Sequence, residues 1–494
     1  NPPDIFIFTF KKNLYFYARK NEGNFSSIKI LTINFLQVKK SYQVCPFFMK
    51  KIVVFLFLTS IFSVLVWQIG NKPFGTLFSA KATSTLNPSL YNQSKGFDST
   101  HFVRIDSIVK AAIAGKVFPG CQVLIVKDGI PIYNKCFGKY TYEGTQKVQA
   151  NTMYDLASVS KIMGTLLAIM KLYDLGNLKL NDKASAYLPF LQNTDKENIT
   201  VTELLVHESG LPASLPFHRL AIEKNGSSTL VYKSDYVSKV RTNEFSLQAC
   251  DSLFIHNRIH NEAMQMIANT RLNSKTYVYS CVNFILLKEI VEIISGMPMD
   301  EFLNKKFYQP MGLQHTAYLP LRSHKKEEIT PTLQRDYLRK TLIQGYVHDP
   351  DAAFLGGVTG NAGLFASASD VAKIHQMLLN NGEYEGKRYL SAATCQTFTT
   401  TTSASGRRGL GFDKPTPANS KYNPCCASAP LEVYGHTGYT GTCCWVDPIN
   451  KLVYVFLSNR TYPNDGENKL AKWGIRTKIQ EVIYDSIIKS PKNQ

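Results

Sequence analysis

The sequence predicts an α/β sandwich: an antiparallel sheet built from the two ends of the folded region, flanked by helices, with an all-helical lobe inserted in the middle. Three observations carry this. The segment CQVLIVKDGIPIYNKC, 121–136, reads as a hairpin turning at Asp128-Gly129. Two further strand patterns, GTCCWVDP (441–448) and KLVYVFLSN (451–459), come only near the end of the chain. Helical periodicity dominates from 158 to about 308 between them.

Taken in order, the chain opens with Asn1, and its first methionine is Met49, followed by Lys50, Lys51 and the uncharged run IVVFLFLTSIFSVLVW, 52–67. A basic start followed by an apolar run is the pattern of an export signal. Translation is therefore expected to begin at Met49, with 1–48 outside the native protein and 49–70 acting as a signal peptide or uncleaved membrane anchor through 52–69. The one Ala-x-Ala candidate, Ala80-Lys81-Ala82, lies well past the run, which favours the anchor. Either outcome places the remainder in a periplasmic or extracellular space. Residues 71–98, rich in Ser, Thr, Asn, Lys and Gly, read as a linker, and 99–490 as the folded domain. That domain begins with the amphipathic helix FVRIDSIVKAAIAGK. Ser367-Ala-Ser-Asp370 reads as a capping box for VAKIHQMLL, which Asn381-Gly382 ends, and a last helix is expected from about 467 to 488.

Charge and cysteine content limit the function classes. Of the net charge of +19, residues 1–51 carry +7, with nine Lys or Arg against two acids. The rest shows no block of five like charges and no zinc-finger or aromatic RNA-binding signature, which argues against nucleic acid. Nine of ten cysteines follow Met49, an odd number that leaves at least one unpaired within the chain. Counting outward from the Asp128-Gly129 turn places Cys121 opposite Cys136 in a hydrogen-bonded pair, whose geometry favours thiols over a disulfide.

The chemistry starts at YDLASVSKIMGTLLAIM, 154–170. Ser158 and Lys161 lie three apart, on one helical face, so the amine reaches the hydroxyl. The apolar residues that follow would desolvate the amine and lower its pKa, and the helix start offers free N–H groups for a developing oxyanion. Burying an ammonium is then explained by activation of Ser158. The spacing alone is weak, because Ser-x-x-Lys starts five times, at Ser26, Ser107, Ser158, Ser323 and Ser486. Other candidates are weaker still. His256 and His260 share a helical face but Asn257 stands where a zinc protease has Glu, and adjacent cysteines such as Cys425-Cys426 splay to opposite strand faces. Gly-x-Ser-x-Gly is absent. His207 and Ser209 read as fixing a helix end. No metal or cofactor is called for.

With Tyr279-Ser280-Cys281 and His436-Thr437-Gly438 ahead of a strand, the Ser158 motif resembles the signature of the penicillin-recognising serine hydrolases: the class C β-lactamases, D-alanyl-D-alanine carboxypeptidases and related esterases. The stretches ITVTELLVHESGLP (199–212) and LGGVTGNAGLFASASDVAKIHQMLL (355–379) extend the resemblance over roughly 100–490. It implies the β-lactamase/transpeptidase-like fold. It also implies an acyl-enzyme mechanism with Ser158 as nucleophile, Lys161 as proton partner, and Tyr279 as proton shuttle, held down by Lys161. Ser158 and Tyr439 would supply the oxyanion N–H groups, with Cys281, His436, Thr437 and Gly438 on the substrate. A peptidoglycan-type or other small substrate is implied, and a monomer is expected.

Two departures matter. Cys281 stands where the family has Asn or Asp, and His436 where β-lactamases have Lys. Both point away from β-lactams toward esters or neutral amides, with His436 becoming cationic near pH 6. A carboxylesterase and a non-catalytic sensor that acylates without turnover are the alternatives.

Overall fold

The computed structural model describes residues 6–10, 14–18, 96–223, 230–416 and 423–488. The chain divides into two units, Asn1–Ser84 and Thr85–Gln494. In the first, Phe6–Phe10 and Leu14–Ala18 pair antiparallel. The expected start at Met49, the apolar run and most of the linker lie outside the described residues. Among those described, no helix is long and apolar enough to cross a membrane.

In the second unit, α1 (Val103–Ala114) leads into β1 (Gly120–Lys127) and β2 (Ile130–Gly138). The middle of the chain supplies α2 (Leu166–Asp174), α3 (Cys281–Ser295) and α4 (Ala368–Leu379). The end supplies β3 (Tyr434–Gly438), β4 (Thr442–Asp447), β5 (Leu452–Ser458) and α5 (Ile475–Asp485). The sheet runs β3-β4-β5-β1-β2, every pair antiparallel, so the last strand of this unit docks beside its first. Because strand side chains alternate, β1 covers two cores. Cys121, Val123 and Ile125 join Ile105, Ile479 and Ile483 of α1 and α5, while Leu124 and Val126 join the helical layer containing α2 and α3. This is the α/β architecture expected, with three differences of detail.

The hairpin turns at Asp128 and Gly129, both with positive φ, as a type I′ turn requires. Its pairing is offset from the sequence expectation. Ile132 bulges opposite the Ile125–Val126 step, so Cys121 faces Phe137 and Cys136 faces Gln122. One inserted residue moves Cys136 to the other face of the sheet, against the larger core, while Cys121 packs in the smaller. Both are free thiols, as are the other seven described cysteines.

The inserted lobe is also not purely helical. Val237–Ser238, Leu247–Cys250 and Leu253–Ile255 form a small antiparallel sheet, in segments too short to show a period of two. Half of the capping box forms: Ser367 Oγ accepts from Asp370 N at 3.4 Å, but the Asp370 carboxylate turns to His315 N at 2.7 Å.

Candidate active site

Ser158 sits in a turn of 3₁₀ helix, Ala157–Val159, directly after the short strand Tyr154–Asp155. Ala157 has φ +46°, a conformation costly for a residue with a Cβ, and its N–H is held by Asp155 Oδ1 at 2.8 Å. Ser158 is the one residue between 152 and 170 that keeps partial exposure. The next turn, Lys161–Thr165, is wound as π-helix before α2 begins. Such a turn is a frequent mark of a functional site.

The β3–β4 hairpin is tied to this elbow. Thr440 Oγ1 donates to Asp155 O at 2.6 Å and Thr442 Oγ1 to Leu156 O at 2.8 Å. Gly438 is required at the crossing, since a Cβ there would run into Leu156 O and Thr442 Oγ1. From the other side Gly360 lies so close to α3 that a Cβ would overlap Phe284 O. That approach brings Asn361 O to 3.0 Å from Lys161 Nζ.

Tyr279 is delivered by the segment entering α3. Ser280 N donates to His207 Nδ1 at 3.1 Å, Ser280 Oγ to Pro212 O at 2.6 Å, and Cys281 N to Ala213 O at 2.8 Å. Ser209 Oγ donates to Asn283 Oδ1 at 2.7 Å, and the His207 ring packs 4.7 Å from that of Tyr279. His207 and Ser209 therefore brace the entry to α3, in keeping with a structural role, and Ser280 points away from Ser158.

At the centre, Ser158 Oγ accepts from Tyr279 OH at 2.8 Å and from Lys161 Nζ at 3.1 Å. Lys161 is fully buried, with its ammonium 3.6 Å from Cys281 Sγ and 5.1 Å from the Tyr279 ring centre. Burial alone would lower its pKa, as the sequence led us to expect, but Cys281 and Tyr279 beside it outweigh burial, and the pKa is raised. Lys161 is thus held as an ammonium, not as a partly neutral amine. For Tyr279 the effect of burial is the opposite: desolvation raises it above its ordinary value near 10, against the pull of Lys161, so the resting side chain is a neutral phenol. The expectation that Lys161 holds Tyr279 down is corrected: desolvation dominates.

His436, Thr437, Gly438 and Tyr439 form the opposite wall. His436 is buried, its Nδ1 2.6 Å from Thr437 O, and its Nε2 has no hydrogen-bond partner among the described residues. Burial, with the Arg408 and Lys161 cations, drives its pKa to about 3 despite Asp413. It is neutral throughout the physiological range, which overturns the expectation of a cation near pH 6.

Sequence reading missed the charge that His436 lacks. Arg407, Arg408, Arg460 and Arg476 line the same pocket of about 420 Å³ as Ser158, Tyr279 and His436. Arg408, buried, pairs with Asp413 at 3.1 Å and lies 5.7 Å from the Tyr279 ring centre, and its Nε has no hydrogen-bond partner among the described residues. Arg407 pairs with the same aspartate. Arg476, on α5, donates to Thr442 O at 2.9 Å, and Arg460 Nε to Tyr439 O at 2.6 Å. The one signal was the doublet in GRRGLGFD, 406–413, which carries no spacing rule.

Comparison with known proteins bears on the family and the fold. The family model "Beta-lactamase" matches residues 105–475. An Escherichia coli K12 protein provisionally named D-alanyl-D-alanine carboxypeptidase is 30% identical over 374 residues, 70% of this chain and 79% of its own. The N-acetylmuramyl-L-alanine amidase of Bacillus subtilis 168 is 29% identical over 416 residues, 78% of this chain and 87% of its own. In fold, EstCE1, a hydrolase with promiscuous acyltransferase activity, superposes with a TM-score of 0.57 at 20% identity, over 78% of this chain and 99% of that one. A class C β-lactamase gives 0.54 at 17% identity, over 78% and 96%. The chain belongs to the β-lactamase family. It has the β-lactamase/transpeptidase-like fold and is an enzyme of the serine hydrolase type.

Proposed function

We propose that the protein is an exported hydrolase that removes a terminal residue bearing a free carboxylate, as a D-peptide carboxypeptidase does, through an acyl-enzyme on Ser158. The observation that carries this is the double contact at Ser158 Oγ, with Tyr279 OH at 2.8 Å and Lys161 Nζ at 3.1 Å. In the reactive state Tyr279 is deprotonated, and the Lys161 ammonium stabilises its phenolate. Tyr279 takes the Ser158 proton as Oγ bonds to the scissile carbonyl carbon. The backbone N–H groups of Ser158 and Tyr439 receive the carbonyl oxygen's developing charge. Tyr279 then gives the proton to the departing nitrogen as its bond to carbon breaks. Water attacks the acyl-enzyme, gives Tyr279 a proton, and Ser158 leaves with its oxygen reprotonated.

The leaving residue lies beside Tyr279, in the pocket lined by His436 and the four arginines. Arg408 Nε and Arg460 Nη2 have no hydrogen-bond partner among the described residues, and a guanidinium there suits a carboxylate better than a neutral imidazole does, which favours peptides ending in a carboxylate over the esters or neutral amides that His436 led us to expect. Export rests on the sequence pattern at 49–67, and the cell-wall names of the relatives agree with it. The folded region is read as 99–490, working as a monomer.

A second reading, slow deacylation in a sensor, is favoured only by Cys281, which offers substrate no amide. Turnover of a D-alanyl-D-alanine peptide, a short nitrophenyl ester and a chromogenic cephalosporin by the full chain tests both. The peptide should be cleaved fastest. Stoichiometric acylation without turnover would leave the sensor.

A further inference from the structure

Two pockets meet at Ser158 and Tyr439, which line both. The pocket on the Tyr279 side holds four arginines against Asp413. The other, about 510 Å³, holds Asp336, Asp349 and Asp465 against Arg335. Tyr279 lines only the first and Cys281 only the second. Since the departing group takes its proton from Tyr279, it occupies the arginine pocket, and the acyl part of the substrate occupies the acidic one.

The three carboxylates there are not equivalent. Asp336 is consumed by the buried Arg339, 3.1 Å away. Asp465 accepts from Tyr439 OH at 3.0 Å and lies 3.6 Å from Arg460 Nη1, with about a third of its side chain exposed. Asp349 caps a short helix through Ala352 N at 2.7 Å, and among the described residues no cation pairs with it directly. Beside it in sequence stands His348, 8% exposed, which lines the same pocket. Its Nε2 lies 3.7 Å from Asp465 Oδ2 and has no hydrogen-bond partner among the described residues. A buried nitrogen left unpaired beside a carboxylate is a costly arrangement unless a ligand completes it. Burial drives His348 down to about 4, so its imidazole is neutral and one ring nitrogen is free to accept.

We infer that the acidic pocket binds an ammonium group on the acyl part of the substrate, held by Asp349, Asp465 and His348. Together with the arginine pocket this selects short zwitterionic peptides, cationic on the acyl side and anionic on the leaving side. The assignment of pockets to sides rests on the proposed function, and the ammonium site itself does not.

The test uses matched pairs on the full chain: 6-aminohexanoyl and 3-aminopropanoyl groups, free or N-acetylated, each joined to D-alanine and to nitrophenol. The free amines should be favoured in kcat/KM by about tenfold or more for at least one length, as a hydrogen bond to a charged group would give. Asp349→Asn and Asp465→Asn should each bring that ratio toward one, and Asn keeps the capping acceptor at 349. If one variant fails to fold, the other carries the test. Acetylated forms cleaved as well as free amines, or a preference unchanged in both variants, would overturn the ammonium site. Cleavage of the nitrophenyl esters with amine preference, but of no D-alanyl substrate, would overturn the leaving-residue reading and support the ammonium site. If nothing is turned over, calorimetric titration with 6-aminohexanoate and its N-acetyl form decides, and equal or absent binding of the two overturns it.

Discussion

The Lys161 ammonium lies 3.6 Å from the Cys281 sulfur, in the place where the family has an amide or carboxylate. A thiol is a weak hydrogen-bond partner, so Cys281 gives neither Lys161 nor a bound amide what Asn would. Cys281→Asn should therefore raise turnover of amide substrates relative to nitrophenyl esters, by about tenfold if one extra hydrogen bond contributes about 1.4 kcal/mol. Steady-state rates on the two substrates check this, and an unchanged ratio would mean that Cys281 does not face the scissile group.

Ser158 should be the residue labelled by a fluorophosphonate, and Ser158→Ala should abolish the label. Tyr279→Phe keeps the ring against His207 but removes the 2.8 Å donor, and it should lower turnover by at least about 10²-fold, the usual worth of positioned proton transfer. Mass spectrometry of the labelled peptide and rate measurement decide both. A label mapping to Ser280 would contradict its position, turned away toward Pro212.

The pH profile follows from the shifts. Tyr279 and Lys161 are both raised, so the species with a base at Ser158 is a minority at neutral pH. Raising the pH enlarges it, and kcat/KM should climb from about pH 6 to about pH 9, by at most about tenfold per unit. His436, at about 3, is already neutral and contributes no inflection in that window. A bell centred near pH 6 would restore the titrating histidine that the structure removes. His436→Lys should also destabilise the domain by about 1–3 kcal/mol, since it places another cation in a buried site already facing Arg408. A Tm measurement reports it.

The sequence made some of this legible for identifiable reasons. Ser158, Lys161 and Tyr279 are set by short-range spacing and by a recognisable order of motifs, and the contacts predicted among them are present. The hairpin turn was readable because Asp-Gly is matched to positive φ at both positions. The offset of Cys136 was not, because Ile132 bulges without a Gly or Pro to mark it. The directions of the Lys161 and Tyr279 shifts depend on which charges the fold brings within a few ångströms, and local apolarity alone gave the wrong sign for Lys161. The arginines were illegible for a related reason: Arg408, Arg460 and Arg476 converge from three separate segments, and none sits in a motif.

Arg408 is the residue on which the leaving-group side turns. It is buried and paired with Asp413, its guanidinium carbon 5.7 Å from the Tyr279 ring centre, yet its Nε has no partner among the described residues, so a carboxylate there would complete its bonding. Arg408→Met keeps most of the volume, removes the charge, and leaves Asp413 the contact with Arg407. It should lower kcat/KM for a D-alanyl-D-alanine peptide by at least about tenfold, the worth of a charge-assisted hydrogen bond, and lower that for nitrophenyl acetate much less, because acetate esters have no carboxylate to bind. Some loss on both substrates is expected through Tyr279, whose ring faces the guanidinium, so the informative quantity is the ratio of the two losses. Equal losses would make Arg408 a support for Tyr279 alone, and the recognition of a leaving-group carboxylate would then fall to Arg407, Arg460 or Arg476.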